Sequence, residues 1–389
     1  MTENKKQIHP TPSSSRGRVK GESENPGSDI EHGGNIYRLA EELKMQERTI
    51  IDFSASINPL GVSKKIKTEL RKQLKYLHNY PDPDARRLRK RLAQHHGIDP
   101  EMILCGNGSA ELIYLASRAL KPKSVLIPAP TFSEYERAIL IGQDPATTEQ
   151  RAQIRYLVLK KEDGFEIRPD EFIQAMQDKD CDMAFICNPN NPTGSLLKKD
   201  SVMQIAEAAR DLKCILVVDE AFIDFCPEDS IIKEVENNPY LIVLRSMTKF
   251  YALSGLRLGY GVFPQHLIGR LKEYKEPWTV NNLAQRAGVA ALKDKVYRNE
   301  TFRIIRHEKQ FMEKGFKKLG IDYIPSSVNY YLIRLDNAEE VITSLRNKGI
   351  LVRECSNFIG LDESYIRVAV KSHKDNARLL KELSLWLKA

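Results

Sequence analysis

Short apolar runs recur through the middle of the chain, and each closes on polar or glycine-rich positions. Met183 to Ile186 leads into Asn188-Pro189-Asn190-Asn191-Pro192-Thr193-Gly194, and Ile215-Leu216-Val217-Val218 leads into Asp219. Continuous apolar runs bounded by turn residues read as strands buried on both faces. Strands are therefore expected near Val125, Ala184, Leu216, Ile242 and Gly261. A helical run, Leu112 to Leu120, follows Gly106-Asn107-Gly108-Ser109-Ala110-Glu111. This pattern predicts an α/β class, with a large αβα domain around a mostly parallel sheet.

The pattern changes toward the C-terminus. Pro277-Trp278-Thr279-Val280-Asn281-Asn282 introduces a long helical region, Leu283 to Leu319. Strand-like segments follow at Asn329 to Leu335, Leu351 to Arg353 and Tyr365 to Val370, predicting a smaller α+β domain. In the last of these, Ile366, Val368 and Val370 share one face and Arg367 lies on the other. At the other end, residues 1–28 nearly lack apolar side chains and are expected to be a disordered tail. The expected organisation is a tail (1–28), an arm with an amphipathic helix at Ile36 to Leu43 (29–55), a large domain (56–278) and a small one (279–389).

Composition excludes several classes. The 389 residues suffice for a large core and more than one domain. A net charge of +8 is modest for this length, and much of it lies on helix-like stretches such as Lys64 to Lys75 and Arg86 to Arg91. No nucleic-acid motif is present. No apolar run approaches membrane-spanning length and no secretory segment opens the chain, so a cytoplasmic protein is expected. Six cysteines show no metal-ligand spacing and sit mostly in apolar runs, as reduced core residues do. No metal is expected.

The candidate chemistry lies at the ends of the apolar runs. Lys249 follows the hydroxyl pair Ser246 and Thr248, and Arg257 comes eight residues later, just before Gly259. A lysine amine forms a Schiff base with an aldehyde cofactor, and hydroxyls and a guanidinium hold a phosphate. Asp219, ending an apolar strand, either keeps a pyridine nitrogen protonated or caps a helix. Gly108, Ser109 and Ala110 open a helix and offer backbone amides to an anion. Asn191 sits in a rigid turn where its amide can meet a phenolic oxygen. Phe132 either stacks on a ring or packs in the core. Arg353 and Arg367 carry the planar fork that matches carboxylate or phosphate, with surface ion pairs as the alternative.

Together these motifs resemble the pyridoxal-phosphate enzymes of fold type I, within the histidinol-phosphate aminotransferase-like branch of the aminotransferase superfamily. Glu31-His32-Gly33-Gly34-Asn35, Phe53-Ser54-Ala55-Ser56-Ile57-Asn58-Pro59-Leu60-Gly61 and Asp219-Glu220-Ala221-Phe222-Ile223-Asp224-Phe225 resemble the L-threonine-O-3-phosphate decarboxylases of cobalamin biosynthesis. The resemblance implies pyridoxal 5′-phosphate on Lys249, held also by Gly108, Ser109, Ala110, Phe132, Asn191, Asp219, Ser246, Thr248 and Arg257. It implies Tyr80 reaching the cofactor of a partner subunit in a homodimer. It implies a phosphorylated hydroxy amino acid bound by His32, Gly34, Asn35, Asn191, Arg353 and Arg367. Arg367 then clamps carboxylate and Arg353 contacts phosphate, while His32 is either a phosphate donor or a turn histidine. Many aminotransferases carry a tyrosine where this chain has Phe222, which favours the decarboxylase. The implied reaction releases carbon dioxide from L-threonine O-3-phosphate, or from L-serine O-phosphate, which one methyl group distinguishes. A histidinol-phosphate aminotransferase shares nearly every cofactor motif and is the alternative. A cofactor-binding regulator would need a DNA-binding domain, for which residues 1–28 are too few.

Overall fold

The apolar runs of the middle region assemble into one seven-stranded sheet in the computed structural model, which describes residues 33–142, 152–178 and 180–387. The tail expected at residues 1–28, and His32, lie outside the described residues. A two-residue strand, β1 (Ile51–Asp52), comes first. The large sheet is built from β2 (Ile103–Asn107), β3 (Ser124–Ala129), β4 (Gln153–Val158), β5 (Met183–Cys187), β6 (Ile215–Glu220), β7 (Leu241–Ser246) and β8 (Leu258–Val262). Their order is β2-β8-β7-β6-β5-β3-β4. All run parallel except β8, which is antiparallel to both its neighbours.

Both faces of the sheet are covered, as an essentially parallel sheet requires. On one face Val125, Phe185, Val217 and Ile242 pack with Leu112, Ile113 and Tyr135. On the other, Leu126, Ile186, Leu216 and Val243 pack with Leu88, Leu92, Val202 and Ile205. This two-sided burial is why the runs are continuously apolar rather than alternating. Each side chain so buried contributes about 1.5–3 kcal/mol.

Five further strands carry the second half of the site. These are β9 (Asp322–Tyr323), β10 (Tyr330–Arg334), β11 (Ile350–Leu351), β12 (Arg353–Glu354) and β13 (Tyr365–Ala369). An antiparallel sheet has the order β12-β13-β10-β9, and β11 pairs in parallel with β1. The expected strand Leu351 to Arg353 is thus two strands. Leu351 carbonyl accepts from Phe53 N at 2.7 Å, whereas Arg353 lies opposite Arg367. Val352 is the switch between the two sheets. Tyr330 hydroxyl donates to Asn190 carbonyl at 2.6 Å, and Ser327 N to Gly194 carbonyl at 2.9 Å, tying β10 to the turn after β5.

The expected helix Leu283 to Leu319 is also divided. Helices Asn282–Ala291 and Lys295–Leu319 are separated by Asp294, whose side chain accepts from Tyr297 N at 3.2 Å. Aspartate caps a helix start by satisfying an orphan donor, and that local preference overrides the longer apolar rhythm. The amphipathic run of the arm forms helix Ile36–Glu42. No described helix is long and apolar enough to cross a membrane. All six cysteines are buried and free, as their apolar settings imply.

Candidate active site

Parallel strands place their C-terminal ends at one edge of the sheet, and ligands of open α/β sheets gather there. The reversed direction of β8 adds a residue to that edge, because β8 begins where its neighbours end. Its register sets Gly259 opposite Ser246 and Leu258 opposite Asn107. Arg257, just before β8, therefore stands beside the Gly108 turn and lines the same cavity as Ser246.

This corner forms an anion cradle. Helix Ser109–Leu120 begins here with Gly108 as its cap, leaving first-turn amides without intrahelical partners. Ser246 Oγ and Thr248 Oγ1 lie 2.7 Å apart, both buried. The cradle depends on two glycines. A Cβ on Gly108 (φ +81°) would come within 2.6 Å of Arg257 Nη2, and one on Gly259 within 2.2 Å of Ser109 N. Only a bare backbone lets the guanidinium and the helix start approach one another so closely.

Asp219 lies two strands away at the end of β6 and is 2 % exposed. Tyr135 hydroxyl donates to its Oδ2 at 2.9 Å and Ala221 N to its Oδ1 at 3.0 Å. Tyr135 is itself stacked on Phe185, with centroids 4.9 Å apart. Burial pushes the Asp219 carboxyl up to about 6, against the opposing pull of these two hydrogen bonds and of Lys249. A cationic partner would draw it back toward the ionised form.

Lys249 follows β7. Its backbone is fixed from outside, since Asn58 N donates to Lys249 carbonyl at 3.1 Å. Asn58 Nδ2 also donates to Phe250 carbonyl at 2.7 Å and to Thr301 Oγ1 at 2.8 Å. The Lys249 amine is lowered to about 8, first by desolvation and then by the positive Arg367 and Arg257. Its Nζ lies 5.7 Å from the centre of the Phe222 ring, which packs edge-on against Tyr330. A lysine so depressed is poised to act as a nucleophile and to carry a proton.

The opposite wall comes from the antiparallel sheet. Arg353 and Arg367 are direct cross-strand partners, so their side chains share one face. Both are buried. Arg367 Nη1 donates to Asn191 Oδ1, and Nη2 donates to Ser54 carbonyl at 2.7 Å. Arg367 Nε is buried with no hydrogen-bond partner among the described residues. Arg353 Nη2 donates to Asn357 Oδ1 at 2.9 Å, and its guanidinium lies 5.4 Å from the Phe358 ring centre. Like charges placed directly opposite on neighbouring strands repel. Setting two buried guanidinia this way is costly unless an anion lies between or beside them.

Between the two walls is a cavity of ≈ 340 Å³. Of the residues anticipated from sequence, Ser109, Ala110, Phe132, Asn191, Asp219, Ser246, Thr248, Lys249, Arg257, Arg353 and Arg367 all line it. Gly108 shapes it from behind. Gly34 and Asn35 do not line it. Gly34 N instead donates to Ser54 Oγ at 2.7 Å, and Asn35 Oδ1 caps the helix Ile36–Glu42 by accepting from Arg38 N at 3.2 Å. Tyr80 lies away from the cavity of its own chain, 82 % exposed and against the Trp278 ring at 5.3 Å.

Sequence reasoning overlooked Ser54, Ala55 and Ser56 as wall residues, and Tyr135 as the partner of Asp219. It also overlooked Asn58 and Thr301, which brace Lys249. The signal for the first group was present in Phe53-Ser54-Ala55-Ser56-Ile57-Asn58, a polar loop after a short strand. Tyr135 stands three residues after the candidate Phe132, but its bond to Asp219 had no local signal, and nothing local to Thr301 pointed to the site.

A buried carboxylate, an amine of lowered basicity and a glycine-shaped phosphate cradle at one sheet edge define a pyridoxal-phosphate-dependent enzyme of fold type I. The residues fit that cofactor by their chemistry: the cradle would take its phosphate, Lys249 its aldehyde and Asp219 its ring nitrogen. The chain belongs to the aminotransferase class I and II family, whose model matches residues 48–383. It is 38 % identical over 356 residues to a threonine-phosphate decarboxylase of Salmonella typhimurium, covering 90 % of this chain and 95 % of the relative. It is 32 % identical to a histidinol-phosphate aminotransferase of Carboxydothermus hydrogenoformans, covering 87 % of this chain and 92 % of that one. Among solved structures, the L-threonine-O-3-phosphate decarboxylase of Porphyromonas gingivalis superimposes with a TM-score of 0.76 at 27 % identity, covering 87 % of this chain and all of the other.

Proposed function

We propose that this enzyme decarboxylates L-threonine O-3-phosphate to (R)-1-amino-2-propanol O-2-phosphate and carbon dioxide, in cobalamin biosynthesis. The observation that carries the reading is the cross-strand pair Arg353 and Arg367, facing Lys249 across the cavity. A small amino acid with two anionic ends needs two separate cationic clamps. Arg367 takes the carboxylate and Arg353 the phosphate. L-Serine O-phosphate differs by one methyl, worth about 1–3 kcal/mol in a pocket, and is expected to be a poorer substrate.

When bound, pyridoxal 5′-phosphate supplies an aldehyde for the substrate amine and a ring that accepts the electron pair of the Cα bond that breaks. Asp219 supplies a fixed negative charge, and Tyr135 orients it. Gly108, Ser109, Ala110, Ser246, Thr248 and Arg257 hold phosphate at the sheet edge. Arg367 and Arg353 fix the direction in which the substrate carboxylate points, and so which bond at Cα is exposed to cleavage. Phe132 and Phe222 give the cavity its aromatic lining. Lys249 returns a proton to Cα after carbon dioxide leaves. The phenyl ring of Phe222, where many aminotransferases have a tyrosine, favours decarboxylation over transamination.

The active form is a homodimer in which Tyr80 of each chain reaches the partner's cofactor phosphate. Residues 56–278 are the cofactor-binding domain and 279–389 a smaller domain carrying the arginine clamps. The test is product analysis with L-threonine O-3-phosphate, with and without 2-oxoglutarate. Carbon dioxide and the phosphorylated amino alcohol should form in both. Glutamate from 2-oxoglutarate, with no carbon dioxide, would establish the aminotransferase reading instead, and histidinol phosphate would then be the substrate to try.

A further inference from the structure

We propose that His307, Glu308 and His373 form a surface site for one divalent ion of the zinc class, joining the helix Lys295–Leu319 to the helix His373–Trp386. The site is separate from the cavity described above. Among the described residues, it is the group of histidine, cysteine and acidic side chains whose donor atoms converge, all lying within 4.8 Å of one another. His307 Nδ1 lies 2.9 Å from Glu308 Oε1, and His373 Nδ1 lies 3.3 Å from the same oxygen. Four ligands at zinc bond lengths of about 2.0–2.2 Å stand roughly 3.3 Å apart around a tetrahedron. The His373 separation matches that edge and the His307 separation is about 0.4 Å shorter, within reach of a side-chain rotation of the exposed imidazole.

The donor chemistry agrees. Two imidazoles and one carboxylate match the N/O sets that hold zinc with a water in the fourth position. Hard cations such as magnesium prefer oxygen alone. Access and support are divided in the way a metal site needs. The two histidine side chains are 66 % and 58 % exposed, so an ion and its water can enter, whereas Glu308 is 3 % exposed. Its Oε2 accepts from Asn376 Nδ2 at 2.9 Å, and Asn376 also donates to Lys371 carbonyl at 2.9 Å. Phe311 packs against the His373 ring with centroids 4.3 Å apart. Outer groups of this kind orient ligands and sustain metal affinity.

Such an ion would fasten the start of the last helix close to Lys371, whose Nζ donates to Ala55 carbonyl on the wall of the cavity at 3.0 Å. The test is calorimetric titration of the full-length holoenzyme with zinc chloride in phosphate-free buffer, beside His307→Ala, His373→Ala and the double variant. Wild type should take up one equivalent. Each single variant should bind at least about tenfold more weakly, and the double variant should lose the site. Cobalt(II) should give visible ligand-field bands of a four-coordinate ion in wild type only, at wavelengths beyond the cofactor's absorption. Magnesium should not compete. Since both histidines are exposed, turnover of the variants should stay within about twofold of wild type and report that they are folded. No saturable zinc uptake by wild type, or equal uptake by the double variant, would overturn the site and leave the histidines as hydrogen-bond partners of Glu308.

Discussion

The two walls of the cavity are built on different plans. The wall we assign to the cofactor takes Gly108, Asp219, Ser246, Lys249 and Arg257 from the ends of adjacent strands of one sheet, each inside a motif of a few residues. The wall we assign to the substrate takes Ser54 from an early loop, Asn191 from the turn after β5, and Arg353 and Arg367 from the late antiparallel sheet. The Arg367 fork binds both Asn191 and Ser54, across sequence separations of 176 and 313 residues. A wall made of strand ends keeps its shape with the sheet, and the decarboxylase and aminotransferase relatives both match nearly the whole chain. A wall made of distant pieces can be altered one piece at a time without disturbing the fold. Reaction choice is therefore best sought on the arginine side, and the existence of chemistry on the lysine side.

That division can be broken by substitution. The largest effect is expected on the cofactor wall. Lys249→Ala removes the proposed covalent anchor and proton carrier together, and turnover should fall by at least about 10³-fold. Borohydride reduction of the wild-type holoenzyme should label Lys249, as peptide mapping would show. Labelling of a different lysine would refute the assignment. Asp219→Asn should come next, with a loss of about 10²-fold or more, since a neutral amide cannot balance a protonated ring nitrogen. It should retain stoichiometric cofactor by absorbance. A variant within a few fold of wild type would reduce Asp219 to a structural partner of Tyr135.

The same contrast governs what could be read from the chain. The cofactor wall was legible because parallel strands end in contiguous signatures, and an apolar run followed by an acid or a hydroxyl places that group at the sheet edge. The α/β class followed from the same runs. The substrate wall was legible in residue type but not in geometry. Arg353 and Arg367 were each recognisable as forks, yet their pairing depends on the register of β12 with β13, and β12 exists because the chain changes sheets at Val352. A local apolar pattern says nothing about such a switch. Nor does it reveal Asn58 bracing Phe250 across 192 residues, or Tyr135 meeting Asp219 across 84. The break at Asp294 was available as a capping signal but was outweighed by the apolar rhythm on either side of it.

On the substrate wall the expected losses are smaller and more selective. Arg353→Lys and Arg367→Lys keep the charge but replace the planar fork with a point donor. Turnover should fall by about 10- to 100-fold, through loss of alignment more than of binding. Arg367→Lys should be the more severe, because it also releases Asn191 Oδ1 and Ser54 carbonyl. Steady-state kinetics with L-threonine O-3-phosphate would separate the effects on kcat and KM. Activity of both lysine variants equal to wild type would remove the clamps from the mechanism.

The smallest expected effect tests whether the two walls act on each other. Lys249 is lowered to about 8, by desolvation first and by the charge of Arg367 second. In the cofactor-free protein, about half of this amine is unprotonated at pH 8, against well under about 1 % of an ordinary lysine of pKa ≈ 10.4. Competitive acetylation across pH, read by mass spectrometry of the Lys249 peptide, should show a midpoint near 8. The linkage has a definite sign. Between about pH 8 and the ordinary lysine range the folded state binds fewer protons at this site than the unfolded state. The contribution of Lys249 to the stability of the cofactor-free protein therefore rises with pH through that window, and the penalty is full below it. Arg367→Gln removes one positive neighbour and should move the midpoint upward, leaving desolvation and Arg257 to hold it below the usual value. An unchanged midpoint in Arg367→Gln would mean that the arginine wall does not reach the lysine electrostatically, and that burial and Arg257 set the basicity of the amine.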